Sequence, residues 1–121
     1  MTAITLRPVP EHEKKTISDL EKLSVSELEA DLATGIGTMG PGVSPVQAAR
    51  QWLRAHSDQI HRRVCEEGKW CEFAKSHRRS EFIEIVAALS DLLATLAGSI
   101  PVYTLSALLF RQGLDTYCSC E

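Results

Sequence analysis

The chain has 121 residues, which is enough for one domain with its own hydrophobic core, so folding requires neither disulfides nor a metal ion. Its hydrophobic fraction of 44% is ordinary for a globular protein, and its net charge of −3 gives no global attraction to nucleic acid or anionic lipid. The N-terminal residues lack the apolar segment of a secretory signal. We therefore expect a cytoplasmic protein whose four cysteines are reduced thiols.

The first part of the chain predicts an extended arm followed by helix. Two prolines in residues 1–11 favour an extended conformation. Residues 12–33 are predicted to be helical, in two pieces, because Ser24 and Glu27 have the spacing of a capping box that starts a second helix. Apolar residues then recur at helical spacing, and Gly35 is a natural stop.

Residues 34–44 contain four glycines and one proline, which predicts a loop. The letters from Gly35 to Gly40 match the pattern G-x-G-x-x-G, but the dinucleotide fingerprint requires a strand before the glycines and a helix directly after them. Here the preceding residues favour helix, and the next helix begins only at Pro45. We therefore interpret the loop as a helix connection and infer no cofactor and no small-molecule substrate. A peptide or anion site at the start of the next helix stays open as an alternative.

A long amphipathic helix is predicted over residues 45–67. Ser44 is a suitable N-cap, Pro45 suits the first helical turn, and Gly68 ends the pattern. Apolar side chains recur at spacings of three and four and predict one buried face, which consists of Val46, Ala49, Leu53, His56, Ile60 and Val64, with Trp52 beside it. The opposite face is polar and includes Arg50, Arg54 and Arg62.

The C-terminal third predicts a buried helical hairpin. After a short helix over residues 69–77, Ser80 is the predicted N-cap of a mostly apolar helix over residues 81–97. Pro101 opens another apolar helix over residues 101–112. The few residues between these two helices suit a tight turn, so we predict that they pack antiparallel at the centre of the fold. Residues 114–121 are predicted to form a short tail.

The same region also has to be considered as a membrane span. Residues 92–110 contain no charged side chain and approach the length of a spanning helix. Gly98 and Pro101 lie in the middle, however, where they predict a turn, and Asp91 lies at the edge. We therefore predict a single all-α domain over residues 1–121, a bundle of about five helices with the C-terminal hairpin at its centre.

The cysteines raise the question of a metal or redox site. His61 and Cys65 are four residues apart and so share one side of a helix. Structural zinc sites usually contain C-x₂₋₄-C knuckles, whereas the spacings here are C-x₅-C and C-x-C. A metal- or redox-responsive protein therefore remains an alternative rather than the leading hypothesis. Its candidate residues are Cys65, Cys71, Cys118, Cys120 and His61.

No catalytic constellation is evident from the sequence. His61 and Cys65 meet only the spacing of a nucleophile and base, because no third orienting group accompanies them. The carboxylates Glu81, Glu84 and Asp91 lack the E-x-x-H motif of di-iron bundles. We therefore predict no catalytic residues, and we favour a protein that is not an enzyme.

The leading functional hypothesis is a non-enzymatic protein-interaction module, a small regulatory or accessory subunit that self-associates or binds a protein partner. Its motivation is that the last two helices carry more apolar surface than a five-helix monomer readily covers. A further alternative is a helical nucleic-acid-binding protein that uses the basic residues between positions 50 and 79. The candidate interaction residues are Trp52, Arg50, Arg54, Arg62 and Trp70.

Overall fold

The computed structural model describes residues 4–36, 42–76, 81–98 and 100–120. Within these ranges the chain forms eight α-helices, one π-helical segment and no strand. The α-helices are α1 (Glu11–Glu21), α2 (Val25–Ala33), α3 (Pro45–Ala55), α4 (Ser57–His61), α5 (Trp70–Ser76), α6 (Phe82–Ala97), α7 (Val102–Gln112) and α8 (Leu114–Tyr117), and the π-helical segment is Arg62–Glu67. The all-α prediction is confirmed, whereas the prediction of about five helices was too low.

Two helices begin with reciprocal capping boxes. At the start of α2 the Ser24 hydroxyl accepts from the Glu27 backbone N–H at 3.2 Å, and the Glu27 carboxylate accepts from the Ser24 N–H at 2.9 Å. Ser44 and Gln47 make the same exchange at the start of α3, at 3.2 and 3.1 Å. Each box satisfies two backbone donors that a helix otherwise leaves open, which fixes where these helices begin.

The prediction of one long helix over residues 45–67 was wrong. The helical path breaks at His56, whose backbone has φ −104° and ψ 9°. The carbonyl oxygen of Trp52 accepts the His56 backbone N–H at 3.0 Å and also lies 2.8 Å from His56 Nδ1. The His56 side chain thus shares this carbonyl with the backbone at the point where the helix is interrupted, and the apolar periodicity of the sequence does not indicate such a contact.

The helix changes type again before Gly68. Residues 62–67 adopt π-helical geometry, and the Gly68 N–H donates to the Arg63 carbonyl five residues earlier at 2.9 Å. The prediction that Arg50, Arg54 and Arg62 share one face assumed an unbroken α-helix. The break at His56 lies between Arg54 and Arg62, and the π-helical segment begins at Arg62, so the three arginines lie on two different helical elements. A shared basic face stays a prediction.

The two apolar C-terminal helices are separate elements. Ser90 Oγ on α6 lies 3.1 Å from Ser106 Oγ on α7, and the rings of Phe82 and Phe110 have centroids 5.8 Å apart, so the two helices run antiparallel. The details differ from prediction: Glu81 is the N-cap of α6, whereas the predicted cap Ser80 lies outside the described residues. Across the described part of the chain, no helix combines the length and the apolar character needed to cross a membrane.

The core lies where α6 and α7 meet α1 and α2. Its fully buried side chains include Ile17, Leu28, Leu32, Leu89, Leu93, Leu105 and Leu108. The N-terminal arm belongs to this core, because Ile4 is buried and its N–H donates to the carbonyl of Gly68 at 3.0 Å. Residues 4–10 have no regular secondary structure, yet they are packed against the helices.

Gly68 lies where the N-terminal arm, the π-helical segment and α6 meet. A Cβ atom at this position would lie 2.7 Å from Leu92 Cδ2 and 2.8 Å from the Val64 carbonyl oxygen. We expect Gly68→Ala to lower the free energy of unfolding by about 1–3 kcal/mol, because overpacking forces the backbone to shift. Urea unfolding measures this change.

The neighbouring residue supplies the matched control. Lys69 is exposed and has a φ of 54°, a left-handed conformation that glycine adopts at lower cost. We expect Lys69→Gly to leave the free energy of unfolding unchanged or to raise it by up to about 1 kcal/mol. A Gly68→Ala variant as stable as the wild type would contradict the close packing around this glycine.

Candidate functional site

Helix α3 contacts the rest of the protein mainly through α2, and it uses small side chains to do so. Ala48 and Ala49 are its buried residues, because small side chains let two helices approach closely. Three larger apolar residues of this helix, Val46, Trp52 and Leu53, are only half-buried. An amphipathic helix normally covers its large apolar residues, so this partial coverage makes α3 the candidate interaction surface.

The face of α3 next to the α2 contact combines apolar and basic residues. Val46 and Leu53 are seven residues apart and lie on one line along the helix, and Arg50 and Arg54 follow at i+4 and i+8 from Val46. Arg54 is exposed. We define the α3 surface as Val46, Leu53 and Arg54. Trp52 shares the side of the helix that carries Ala48 and Ala49, from which it is four and three positions away, and it packs against the core.

Arg50 holds α3 against α2 through a buried carboxylate. Its Nε and Nη2 donate to the two oxygens of Glu29 at 2.9 and 3.3 Å, and Glu29 is only 2% exposed. The hydrogen bonds and the charge of Glu29 raise the pKa of Arg50. A paired buried carboxylate of this kind fixes the register of two helices. The predicted interaction residue Arg50 thus orients α3, and its guanidinium is committed to Glu29.

Trp52 is held at the rim of the core by its neighbour. Its indole stacks on the His56 imidazole with ring centroids 4.2 Å apart and planes 23° from parallel. The imidazole of His56, the residue at the helix break, therefore orients the indole of Trp52. A half-exposed tryptophan with a fixed orientation loses little side-chain entropy on binding a partner.

The remaining predicted interaction residues lie elsewhere. Trp70 is a core residue, only 4% exposed, and its indole N–H donates to Asp115 Oδ1 at 2.8 Å. It packs against Phe73 and Phe110. Arg62 is exposed, but on the π-helical segment rather than on α3. Trp52 and Arg54 both lie on α3 but on different sides of it, because they are two positions apart, and Trp70 and Arg62 lie on other elements.

The expectation of reduced thiols was wrong, because all four cysteines form disulfides. Cys65 is bonded to Cys118 and Cys71 to Cys120, across sequence separations of 53 and 49 residues. Residues so far apart in the chain give no pairing signal in the sequence. In this state the sulfur atoms are not free to coordinate a metal, and the described residues contain no group of three or more metal-binding side chains.

Residues 114–120 are an ordered part of the fold and not the predicted simple tail. Leu114 is 2% exposed, and the hydroxyl of Tyr117 donates to the Ser57 carbonyl at 2.9 Å. The Tyr117 ring also packs against His61, at a centroid distance of 5.5 Å. His61 therefore belongs to a contact with the C-terminal segment, and its Nδ1 also lies 3.7 Å from a carboxylate oxygen of Glu66.

Of the carboxylates Glu81, Glu84 and Asp91, the structure pairs Asp91 with the N-terminal arm. Arg7 makes a bidentate pair with Glu13, at 3.0 and 2.7 Å, and also binds Asp91. Glu13 is buried and accepts a further hydrogen bond from the Tyr103 hydroxyl. These bonds, that from Arg7 foremost, lower the pKa of Glu13 to about 2, and the same contact with Glu13 raises the pKa of Tyr103. Every one of these groups already has a protein partner, which is typical of a structural cluster.

Residues in the described part of the chain line two shallow grooves. One groove of about 320 Å³ runs between the N-terminal arm and the start of α6, lined by residues such as Arg7, Lys14 and Glu84. The glycine motif cannot be placed, since residues 37–41 lie outside the described ranges. The chain matches no family model, and neither the search of curated proteins nor that of solved structures found a similar protein. The site must therefore be judged on its own chemistry.

Proposed function

We propose that this protein is a non-enzymatic interaction module whose α3 surface binds another polypeptide, either a second copy of the chain or a different protein. The observation that carries the proposal is that Val46, Trp52 and Leu53 are only half-buried on a helix whose fully buried residues are Ala48 and Ala49, although Trp52 and Leu53 also touch the core. Aromatic and arginine side chains beside aliphatic ones are the residues that most often dominate binding energy at protein interfaces.

The charges around the α3 surface indicate which charge its partner should carry. Arg54 is exposed next to the apolar line, whereas the carboxylate of Glu29 is neutralised by Arg50. An interface that presents an unopposed positive charge beside apolar side chains favours a partner with a complementary acidic residue. A regulatory or accessory subunit is the role that this arrangement fits, because the surface can bind without any chemistry of its own.

The disulfides modify the localisation that we proposed from the sequence. Structural disulfides persist in oxidising compartments and are rare where glutathione and thioredoxin keep thiols reduced. We therefore propose that the protein acts in an oxidising environment. The cytoplasmic assignment would hold only if the two bridges form transiently, as in a redox-responsive protein.

A charge-reversal variant tests the proposed surface. Arg54 is exposed, so Arg54→Glu should change the free energy of unfolding by less than about 0.5 kcal/mol. We expect it to weaken binding by about tenfold or more, since it turns an attractive charge at the rim into a repulsive one. Lys15→Glu, an equivalent exposed reversal on α1, is the matched control and should have no effect on binding.

Two measurements distinguish the two kinds of partner. Sedimentation velocity at micromolar concentration reports self-association, and the Arg54→Glu variant should then sediment as a smaller species than the wild type. If the wild type is monomeric, the wild type and the two variants are each used to retain binding partners from the native host. One polypeptide should then be retained by the wild type and the Lys15→Glu control but not by the Arg54→Glu variant. Identical behaviour of all three proteins in both assays would contradict the proposal.

A further inference from the structure

Both disulfides join the same two parts of the chain. Cys65 and Cys71 lie on the π-helical segment and α5, and their partners Cys118 and Cys120 lie together in the C-terminal segment, residues 114–120. We propose that the C-terminal segment is a redox-controlled element, and that one dithiol molecule, supplying two electrons, is sufficient to release it from both attachments. The inference concerns the cysteines alone and does not depend on the function proposed for α3.

The C-terminal segment is held by few contacts other than the disulfides. Helix α8 has only four residues and no side-chain N-cap, and a helix of that length is not stable alone. Its noncovalent contacts include the buried Leu114, the bond from Trp70 to Asp115, and Tyr117, which bonds to Ser57 and packs against His61. The proposal requires that these contacts alone do not hold the segment once both covalent links are broken.

The C-x-C spacing provides a route from one disulfide to the other. Cys118 and Cys120 are separated only by Ser119, which has a left-handed φ of 58°. The chain turns at this point, with the Cys120 N–H donating to the Asp115 carbonyl at 2.8 Å and the Ser119 N–H to the Thr116 carbonyl at 3.1 Å. A thiolate at Cys120 is therefore tethered close to the Cys118 sulfur. Cys65 and Cys71, by contrast, are six positions apart and fixed on two different helical elements.

The proposed reaction consists of ordinary thiol–disulfide exchange steps. One thiolate of the dithiol attacks Cys71 Sγ, and Cys120 leaves as a thiolate; the second thiol of the reductant then closes its own disulfide and releases Cys71. The Cys120 thiolate attacks Cys118 Sγ, which breaks the bond to Cys65. Cys65 and Cys71 take up two protons, and a Cys118–Cys120 disulfide forms. Two electrons pass from the dithiol, which is oxidised to a disulfide, so the balance is complete.

Release of the C-terminal segment would uncover apolar surface. Trp70 would lose its hydrogen bond to Asp115, and the residues that bury Leu114 would become accessible. The chemical class of partner implied is a dithiol reductant or a dithiol–disulfide oxidoreductase. The remainder of the core does not depend on the segment, because the buried leucines of α6 and α7 pack against α1 and α2.

The experiment is a partial reduction of the purified full-length chain. The protein is titrated with dithiothreitol, its thiols are trapped by alkylation at low pH, and disulfide-linked peptides are mapped by mass spectrometry. The species that has gained two electrons should carry labels on Cys65 and Cys71 and a disulfide between Cys118 and Cys120. If that species instead retains one native bridge and carries labels on the two cysteines of the other bridge, the exchange route is wrong.

A variant without the exchange route is the matched control. In Cys71→Ser combined with Cys120→Ser, only the Cys65–Cys118 bridge remains, so two-electron reduction should label Cys65 and Cys118 and form no new disulfide. Release itself is followed by Trp70 fluorescence in a Trp52→Phe background, with far-UV circular dichroism recorded on the same sample. A red shift with the helical signal retained supports release of the segment. Loss of the helical signal together with the shift, or no shift at all, overturns it.

Discussion

Removal of both disulfides is expected to lower the free energy of unfolding by about 6–7 kcal/mol, whereas removal of either one alone should cost only about 2–3 kcal/mol. The reason is topological. One bridge closes a loop of about 50 residues in the unfolded chain, from 65 to 118 or from 71 to 120, and contributes about 4 kcal/mol. The second bridge then closes a ring of only about nine residues, since both bridges join the same two segments.

This prediction is checked by urea unfolding of three variants. Two of them replace the cysteines of one bridge by serine, and the third replaces all four. The cost of the fourfold variant should exceed the sum of the other two by about 1–2 kcal/mol, because each single removal leaves the long loop closed. Equal costs for a single-bridge variant and the fourfold variant would contradict this account of how the bridges act.

Acid should destabilise the protein through the cluster around Glu13. The pKa of Glu13 is lowered from an unfolded value of about 4.3 to about 2 in the folded protein, mainly by its hydrogen bonds from Arg7. A group with a lowered pKa stabilises the fold above its unfolded pKa, and this stabilisation disappears as the pH falls from about 4.5 towards 2. We expect a loss of about 2–3 kcal/mol across this interval from Glu13 alone.

Three variants test the assignment of this acid sensitivity. Between pH 5 and 2 the free energy of unfolding should fall in both proteins, and the fall in Glu13→Gln should be smaller than that in the wild type by about 2 kcal/mol. Glu11→Gln is the matched control, since Glu11 is exposed and its contact with Lys14 is long, at 3.5 Å. Arg7→Ala should cost about 2–3 kcal/mol at neutral pH, because Glu13 stays buried with the Tyr103 hydroxyl as its remaining partner. Equal pH profiles for the Glu13→Gln and Glu11→Gln variants would contradict the role of Glu13.

Local signals in the sequence were sufficient to locate several elements. Ser24 and Ser44 begin helices as predicted, because a capping box requires only residues three positions apart. The division of the apolar region between α6 and α7 was also predictable, since glycine and proline interrupt helices through their own backbone geometry. Predictions of this kind depend on neighbours in the chain and need no knowledge of the tertiary structure.

Features that depend on distant partners could not be predicted. Arg7 contacts Asp91 across 84 positions, Tyr103 contacts Glu13 across 90, and the disulfides join residues 53 and 49 positions apart. Trp70 was assigned to a surface because its sequence neighbours are charged, yet the C-terminal segment buries it. The helix break at His56 coincides with a side-chain contact to one backbone carbonyl, which periodicity does not reveal.

The same contrast applies to the candidate site. Trp52 and Arg54 could be proposed from residue type on an amphipathic helix, and both lie on α3, Trp52 half-buried and Arg54 exposed. Arg50 has the same residue type and a similar helical position as Arg54, but Glu29 commits it to holding α3 on α2. Sequence alone does not distinguish these two arginines, because the difference is a partner on another helix.

Site-specific photo-crosslinking tests binding through the α3 surface most directly. A photo-reactive amino acid replaces Val46 at the N-terminal end of that surface in one protein and the exposed Lys15 of α1 in a matched protein. Both are irradiated with the native host's proteins present. Binding through α3 predicts one covalent adduct of defined mass from position 46, either a dimer of the chain or a complex with one other polypeptide, which is lost when Arg54→Glu is added. No adduct from position 46, or the same adduct from position 15, would contradict it.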